Sequence, residues 1–250
     1  MAFKAFLTSM ALASALALSA GVAFATTVTL DKQFSNVFNN NGSRNGVLST
    51  NSGNTFSQHV SAGGFDVRVT SGNLGVAHLA AAFTAWCLDI AHGLALPTTY
   101  QATSMPFTGA PLSSQQKGDI RKLFNTGYKE ALLATNLAGS NYSAGFQLAL
   151  WEIVNEASGA YNVSSGTFQV NDFNGALTQA GTLLAGLGGP GIGGNWRVIY
   201  LQSLDGGDRN SIQDSQNLVT VAAVPVPAAG LLLLTALGGL GLARRRRPAA

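Results

Sequence analysis

The stretch from Phe146 to Val154 carries the clearest helical pattern of apolar and polar positions in the chain. At about 100° per residue its apolar side chains share one face, which predicts an amphipathic helix facing a core. That face comprises Phe146, Ala149, Leu150, Ile153, Val154 and Ala157. Glu152 is predicted to lie on the opposite, solvated side. Gln147 falls inside the apolar arc, where a buried amide without partners costs about 1–3 kcal/mol, so we expect it to have a partner or a chemical role.

Polar and apolar alternation predicts strands on both sides of this helix. The predicted strands cover residues 27–30, 46–48, 65–69, 167–170, 196–201 and 218–221. A further apolar run, residues 83–90, is strand-like and has Cys87 near its middle. The predicted fold class is α+β, an antiparallel sheet or barrel-like core with a helical subdomain.

Capping residues and glycines predict where the other helices begin and end. Ser113 or Ser114 is expected to cap a helix that stops at Gly127. Further helices are predicted over residues 129–137 and 172–187. Asn141 or Ser143 is expected to cap the central helix, which would place Gln147 in its first turn.

The two ends of the chain have the composition of sorting signals. Residues 1–25 combine Lys4, an apolar run and the small-residue pattern Ala23-Phe24-Ala25, which predicts a signal peptide removed by signal peptidase. Residues 26–223 are then predicted to form the folded domain, and residues 224–250 a C-terminal signal.

The C-terminal segment has three parts in a fixed order. The motif residues Val224, Pro225, Val226, Pro227 and Ala228 precede a short apolar run, which is followed by Arg244, Arg245, Arg246 and Arg247. The run is near the lower length limit for a transmembrane helix, and the arginines favour a cytoplasmic end. An ordinary membrane anchor would have this pattern too.

This order resembles the PEP-CTERM sorting signal of Gram-negative bacteria, in the variant that reads Val-Pro-Leu-Pro-Ala, with Val226 replacing the leucine. The resemblance implies recognition by an exosortase and transient anchoring in the inner membrane. It also implies a final location at the cell surface or in the extracellular matrix, often with exopolysaccharide in a biofilm.

Removing the two ends changes the charge of the protein. The full chain has a formal net charge of +3. Without Lys4 and the four terminal arginines, nine basic and eleven acidic residues remain, a net charge of about −2. The basic pI therefore belongs to the tail, and we expect no nucleic-acid partner.

Cys87 is the single cysteine of a chain predicted to enter an oxidising compartment. It cannot form an intramolecular disulfide, so its thiol is left over and needs an explanation. The three histidines show no ligand spacing with each other or with Cys87, so we expect no metal and no cofactor.

If the central helix packs against the Cys87 strand, the thiol and the Gln147 carboxamide can meet. A thiolate attacking that carboxamide would expel ammonia and leave an internal thioester. Trp86 and Trp151 could exclude water from the bond, and Asp89 could polarise it. His92 and Glu152 are further ionisable neighbours. Considered separately, Cys87 could be a buried thiol of the core, and Gln147 could be an amide that hydrogen-bonds the backbone of a loop.

Two segments resemble the motifs of bacterial thioester domains, which are surface adhesins. These segments are Trp86-Cys87-Leu88 and Phe146-Gln147-Leu148-Ala149-Leu150-Trp151. The first has Trp where Tyr, Phe or Leu is more usual. The resemblance implies a Cys87–Gln147 thioester enclosed by Trp86, Leu88, Phe146, Leu150 and Trp151. It also implies covalent capture of a surface or matrix macromolecule that carries a nucleophilic amine.

The sequence therefore predicts an exported adhesion or matrix-linking protein that reacts once, through an amine or a hydroxyl of its target. We do not expect an enzyme, because no hydrolase triad, nucleotide loop or paired glycosidase carboxylates are evident. The alternative is a non-covalent structural protein of the exopolysaccharide or biofilm matrix, with Cys87 as a buried free thiol.

Overall fold

We describe the protein from a computed structural model. It describes residues 26–38, 42–50, 56–72, 79–107, 110–132, 136–156, 159–188, 196–204 and 215–223. The predicted signal peptide and the predicted C-terminal signal lie outside these residues. Among the described helices, none is long and apolar enough to cross a membrane.

Six antiparallel strands close into a barrel in the order β1-β4-β5-β9-β8-β6. They are β1 (Thr26–Lys32), β4 (Phe65–Gly72), β5 (Ala82–Cys87), β6 (Thr98–Thr103), β8 (Trp196–Ser203) and β9 (Leu218–Ala223). Strands from both ends of the described chain, β1 and β9, take part in the closure. Closure leaves no free sheet edge among these six strands, since each pairs on both sides.

A second sheet of three strands has the order β3-β2-β7. It consists of β2 (Arg44–Thr50), β3 (Phe56–Ala62) and β7 (Phe168–Asn171), all antiparallel. The α+β prediction with an antiparallel, barrel-like core and a helical part is confirmed. Strands β3 and β6 had not been predicted, because their sequences are rich in Ser, Thr and Gln and lack a clear apolar face.

Three helices cover this framework: α1 (Ser114–Leu132), α2 (Leu137–Asn155) and α3 (Gly175–Gly186). Ser113 caps α1 as predicted, since its hydroxyl accepts the Gln116 N–H and its own N–H donates to the Gln116 side chain. The predicted stop at Gly127 is wrong, because α1 continues to Leu132. Gly127 is buried beneath Leu183 and Phe146, so it allows close helix packing rather than ending the helix.

The start of α2 also differs from the prediction. Asn136 caps it, and its side chain accepts the Gly139 N–H at 2.9 Å. The predicted caps Asn141 and Ser143 lie inside the helix, and Gln147 lies near its middle rather than in its first turn. The positive end of the helix dipole is therefore too distant to act on Gln147.

Helix α2 is the centre of the structure, and residues 143–154 are buried all round. The prediction of a solvated face is wrong, because Glu152 is 0% exposed. Neighbours on several sides explain this: α2 packs against α1, α3 and strands of both sheets. Gly145 lets α3 approach, since a Cβ there would lie 2.6 Å from the Gln179 side chain and 2.9 Å from the Ala176 carbonyl oxygen.

Candidate functional site

Cys87 is the last residue of β5 and is buried, at 1% exposure. The predicted strand ran on to Ile90, but the chain leaves the barrel after Cys87. On one side, β5 pairs with β9, with Cys87 opposite Leu218. On the other side, the β4 ladder pairs residues 82–85 of β5. Another group must therefore satisfy the Cys87 peptide.

Gln147 supplies that group. Its Oε1 accepts the Cys87 backbone N–H at 2.9 Å, and its Nε2 donates to the Cys87 carbonyl at 2.8 Å. The side-chain amide thus continues the ladder like a short piece of strand and ties α2 to the end of β5. The Gln147 carboxamide therefore contacts Cys87 through the backbone, and the polar group in the apolar arc has a partner. Neither of these hydrogen bonds reaches the thiol, so a Cys87–Gln147 cross-link stays a prediction.

The thiol lies instead against Gln216, a residue that the sequence patterns did not single out. The Cys87 sulfur is 2.5 Å from Gln216 Oε1, closer than an ordinary hydrogen bond, and also 2.5 Å from the Asp89 carbonyl oxygen. The carboxamide carbon Cδ is bonded to that Oε1 at about 1.2 Å, so it lies within about 3.7 Å of the sulfur. This is close to the separation of reacting atoms in a near-attack geometry.

Buried hydrogen bonds fix Gln216 and its two neighbours just before β9. The Gln216 N–H donates to the Gly93 carbonyl at 3.0 Å. Ser215 Oγ lies 2.8 Å from the Tyr100 hydroxyl, and Asn217 Oδ1 accepts the Ser203 N–H at 2.9 Å. All of Ser215, Gln216 and Asn217 are buried. The carboxamide is therefore presented from a rigid segment rather than from a free loop.

Asp89 connects this segment to the turn after β5. Its Oδ2 accepts the Asn217 N–H at 2.8 Å, while its Oδ1 lies 2.8 Å from His92 Nδ1 and accepts the His92 N–H at 3.2 Å. Both side chains are buried. Asp89, predicted as a polariser, is thus placed to hold Gln216 in register with the thiol.

A cavity of about 680 Å³ opens on this cluster. Gln216, Asp89, His92 and Trp151 are among the residues that line it. Apolar side chains form much of the remaining wall: Val37, Phe38, Val60, Phe65, Ile90 and Leu94. Gln216 is therefore a lining residue of the cavity, whereas Cys87 does not belong to that lining and is buried.

No protein-family model matches the chain, and no curated protein matches it at a significant level. A solved structure similar to the chain is the N-terminal domain of the Streptococcus pyogenes pilus tip adhesin Cpa. The two share 12% sequence identity with a TM-score of 0.33, over 78% of this chain and 98% of the adhesin chain. A likeness this distant assigns neither a family nor a function.

Burial raises the pKa of the Cys87 thiol well above its usual range, and the negative charge of Asp89 raises it further. The side chain of Trp151 acts in the opposite direction and lowers that pKa. Trp151 follows Gln147 by one helical turn, so the two side chains share a face of α2. Trp151 was predicted to shield the thiol; its side chain is buried, at 4% exposure, and the shielding role stays a prediction.

The other predicted neighbours belong to the core. Trp86 packs against Phe146 and Phe124 with ring centroids 4.8 Å and 5.7 Å apart. Successive residues of a strand point to opposite faces, so the Trp86 ring and the Cys87 sulfur lie on opposite faces of β5. Leu88 and Leu150 are fully buried. These side chains hold β5 against α1 and α2.

The sequence patterns do not mark Gln216, because it does not interrupt a helical pattern of apolar residues. A weaker signal was present: Ser215, Gln216 and Asn217 directly precede the apolar strand β9. Polar residues at that position are typical of an exposed turn. Their burial depends on the closure of the barrel, which local sequence does not predict. Within the described residues, no group of three or more His, Cys, Asp or Glu side chains could hold a metal ion.

Proposed function

We propose that the protein is a surface adhesion or matrix-linking protein with an internal thioester between Cys87 and Gln216. The observation that supports this is the 2.5 Å contact between the Cys87 sulfur and Gln216 Oε1. Gln216 is favoured over Gln147 as the acyl donor, because both polar atoms of Gln147 are engaged by the Cys87 backbone.

The bond forms without a cofactor. The Cys87 thiolate attacks Cδ of Gln216, the C–N bond breaks, and the amide nitrogen leaves as ammonia after taking up a proton. A C–S bond replaces the C–N bond, and no oxidation occurs. Burial of Cys87 and Gln216 slows hydrolysis of the product, because it limits the access of water to the acyl carbon.

The target is a macromolecule at the cell surface or in the matrix that carries a primary amine or a hydroxyl group. Its amine enters the cavity and attacks Cδ of Gln216, the C–S bond breaks, and an isopeptide bond joins the two molecules. The displaced thiolate takes up the proton that the amine loses. The protein reacts once and does not turn over, so it is not an enzyme.

Gln147 has a supporting role in this scheme. Its two hydrogen bonds fix the Cys87 peptide at the point where the β4 ladder has ended. The effective concentration of the sulfur at the acyl carbon depends on this alignment. A displacement of the sulfur by about 1 Å can reduce the rate about a hundredfold.

Delivery follows the terminal signals predicted from the sequence. Signal peptidase removes residues 1–25, the apolar segment before the arginines transiently anchors the chain in the inner membrane, and an exosortase recognises the Val224–Ala228 motif. The reactive domain would then be placed outside the cell, where it can meet its target.

Intact-mass measurement of the purified protein tests the proposal. We expect a mass lower by one ammonia than that of the unmodified chain, and methylamine should add its own full mass, leaving a methylated amide on Gln216 that peptide mapping locates. Cys87→Ala and Gln216→Ala should abolish both effects, whereas Gln202→Ala, a matched change on β8, should leave them unchanged. Gln147→Ala should slow thioester formation but keep the label on Gln216.

Two results would overturn this assignment. A methylated amide found on Gln147 would show that the acyl donor is Gln147 rather than Gln216. A full, unmodified mass with a free thiol would rule out the covalent function. That result would favour the second candidate function, a non-covalent structural protein of the matrix. The burial of Cys87 is compatible with this function, because a buried thiol resists oxidation.

A further inference from the structure

His92 and Asp89 form a buried pair in the wall of the cavity. His92 Nδ1 lies 2.8 Å from Asp89 Oδ1, and the two side chains are only 3% and 5% exposed. Beside a carboxylate, a neutral imidazole keeps its proton on Nδ1 and its lone pair on Nε2. Nε2 is then the nitrogen that accepts a proton, and the carboxylate stabilises the imidazolium that forms. Asp89 thus holds His92 in the tautomer of a base.

The same turn brings His92 close to the reacting carboxamide. The Gln216 N–H donates at 3.0 Å to the carbonyl of Gly93, the residue after His92. The Cα atom of His92 therefore lies at most about 9 Å from the Gln216 nitrogen. Both residues line the cavity of about 680 Å³. Imidazole and carboxamide thus belong to adjoining segments of one cavity wall.

The thioester reaction needs a proton carrier at this wall. Burial and the charge of Asp89 raise the pKa of the Cys87 thiol, so the sulfur gives up its proton reluctantly and leaves poorly as a thiolate. Among the described residues that line the cavity, the titratable side chains are Lys32, Asp89 and His92. Lys32 is an exposed cation at the end of β1, and Asp89 is engaged by His92 and by the Asn217 N–H. His92 is the member of this set that is held as a base.

We propose that His92 is the general base and general acid of the thioester reaction. This inference rests on the proposed Cys87–Gln216 thioester and adds a catalytic residue to it. When the bond forms, Nε2 takes the thiol proton, the sulfur bonds to Cδ of Gln216, and the imidazolium gives the proton to the departing amide nitrogen. When an amine opens the bond, Nε2 takes a proton from the attacking nitrogen while the C–S bond breaks. The imidazolium then releases a proton and the thiolate takes one up, so no further reactant is consumed.

Formation and opening are one reaction run in opposite directions, with ammonia or an amine as the nitrogen compound. By microscopic reversibility, the same group handles the proton in both directions. A carrier that ends unchanged alters the two rates and not the equilibrium between them. Loss of His92 should therefore slow formation and opening by similar factors.

The test compares His92→Gln with His59→Gln in the full-length protein. Glutamine can still hydrogen-bond Asp89 but cannot carry a proton. His59 is exposed on β3 and does not line the cavity, so it is the matched control. General acid–base catalysis contributes about 10²–10⁴ to a rate, so both reactions should slow at least about a hundredfold in His92→Gln. Intact mass follows ammonia loss after cell-free synthesis, and then methylamine addition.

Two further measurements respond to proton transfer and not to a purely structural role. Imidazole in the buffer should speed methylamine addition to His92→Ala about tenfold or more, without speeding the reaction of His59→Ala. Methoxyamine is a weakly basic amine that stays unprotonated over the range used. With it, the opening rate of the wild type should rise from about pH 5 to pH 8, the range in which histidine loses its charge, and His92→Gln should lose this rise.

The outcomes separate the two proposals. Wild-type rates in His92→Gln overturn the role of His92, as does a slow His92→Ala that imidazole fails to rescue. A wild-type opening rate that stays constant from about pH 5 to pH 8 also overturns it, and this result needs no variant. A wild-type protein that has lost no ammonia overturns the proposed function itself. Parallel slowing of formation and opening, with rescue by imidazole, supports the inference.

Discussion

Glu152 should make the stability of the protein fall as the pH rises toward neutrality. Burial raises its pKa from 4.5 to about 7, and the charge of Glu156 adds to the rise, while the N–H of Asn162 opposes it. Its Oε1 accepts that N–H at 2.6 Å, but among the described residues Oε2 has no hydrogen-bond partner. The carboxylate form is therefore poorly solvated in the native protein.

The sign follows from proton binding. Between pH 4.5 and 7 the folded protein keeps a proton on Glu152 that the unfolded chain has released, so the free energy of unfolding decreases with pH in this window. The pKa of Glu152 differs by roughly 2.5 units between the folded and unfolded states, which lowers the free energy of unfolding by about 3 kcal/mol from one end of the window to the other. This is a large part of the usual 5–15 kcal/mol stability of a domain.

The perturbation is Glu152→Gln, which keeps the acceptor for Asn162 and cannot ionise. In urea denaturation, the free energy of unfolding of the variant minus that of the wild type should increase by about 3 kcal/mol from pH 4.5 to pH 8. Glu130→Gln, at an exposed position on α1, is the matched control and should show no such trend. A stability difference between Glu152→Gln and wild type that does not change with pH would refute the reasoning.

Two further predictions concern packing and positioning. Gly145→Ala should destabilise the protein by about 1–3 kcal/mol, because the added Cβ would press on α3. The control is Gly181→Ala, on the exposed side of α3, where a Cβ meets open space. This control should be neutral or stabilising by up to about 1 kcal/mol. Thermal unfolding measures both, and equal effects would contradict the close α2–α3 packing. Asp89→Asn should reduce the thioester yield, because it weakens the hydrogen bonds by which Asp89 joins His92 to Asn217. The same substitution should lower the pKa of Cys87, because it removes a negative charge near the thiol. Intact mass and thiolate titration measure these, with Asp31→Asn on β1 as control, and an unchanged yield would show that Asp89 does not position Gln216.

The local patterns determined much of the framework. Alternation marked most of the barrel strands, and the α+β class followed from it. The anomalous Gln147 and the lone Cys87 were both found from sequence, and the fold joins them through two hydrogen bonds. A polar residue in an apolar stripe is informative because burial without a partner is costly.

Tertiary structure alone decided the rest. Helix α2 looked amphipathic because sequence periodicity records one buried face, but neighbours from both sheets and two helices bury Glu152 as well. Gln216 reaches the thiol because β9 pairs with β5 across 129 residues of chain. Local pattern carries no information about which distant strands pair, since that choice depends on closing the barrel. The sequence thus identified a thiol and an amide in need of partners, and barrel closure decided which carboxamide faces the sulfur.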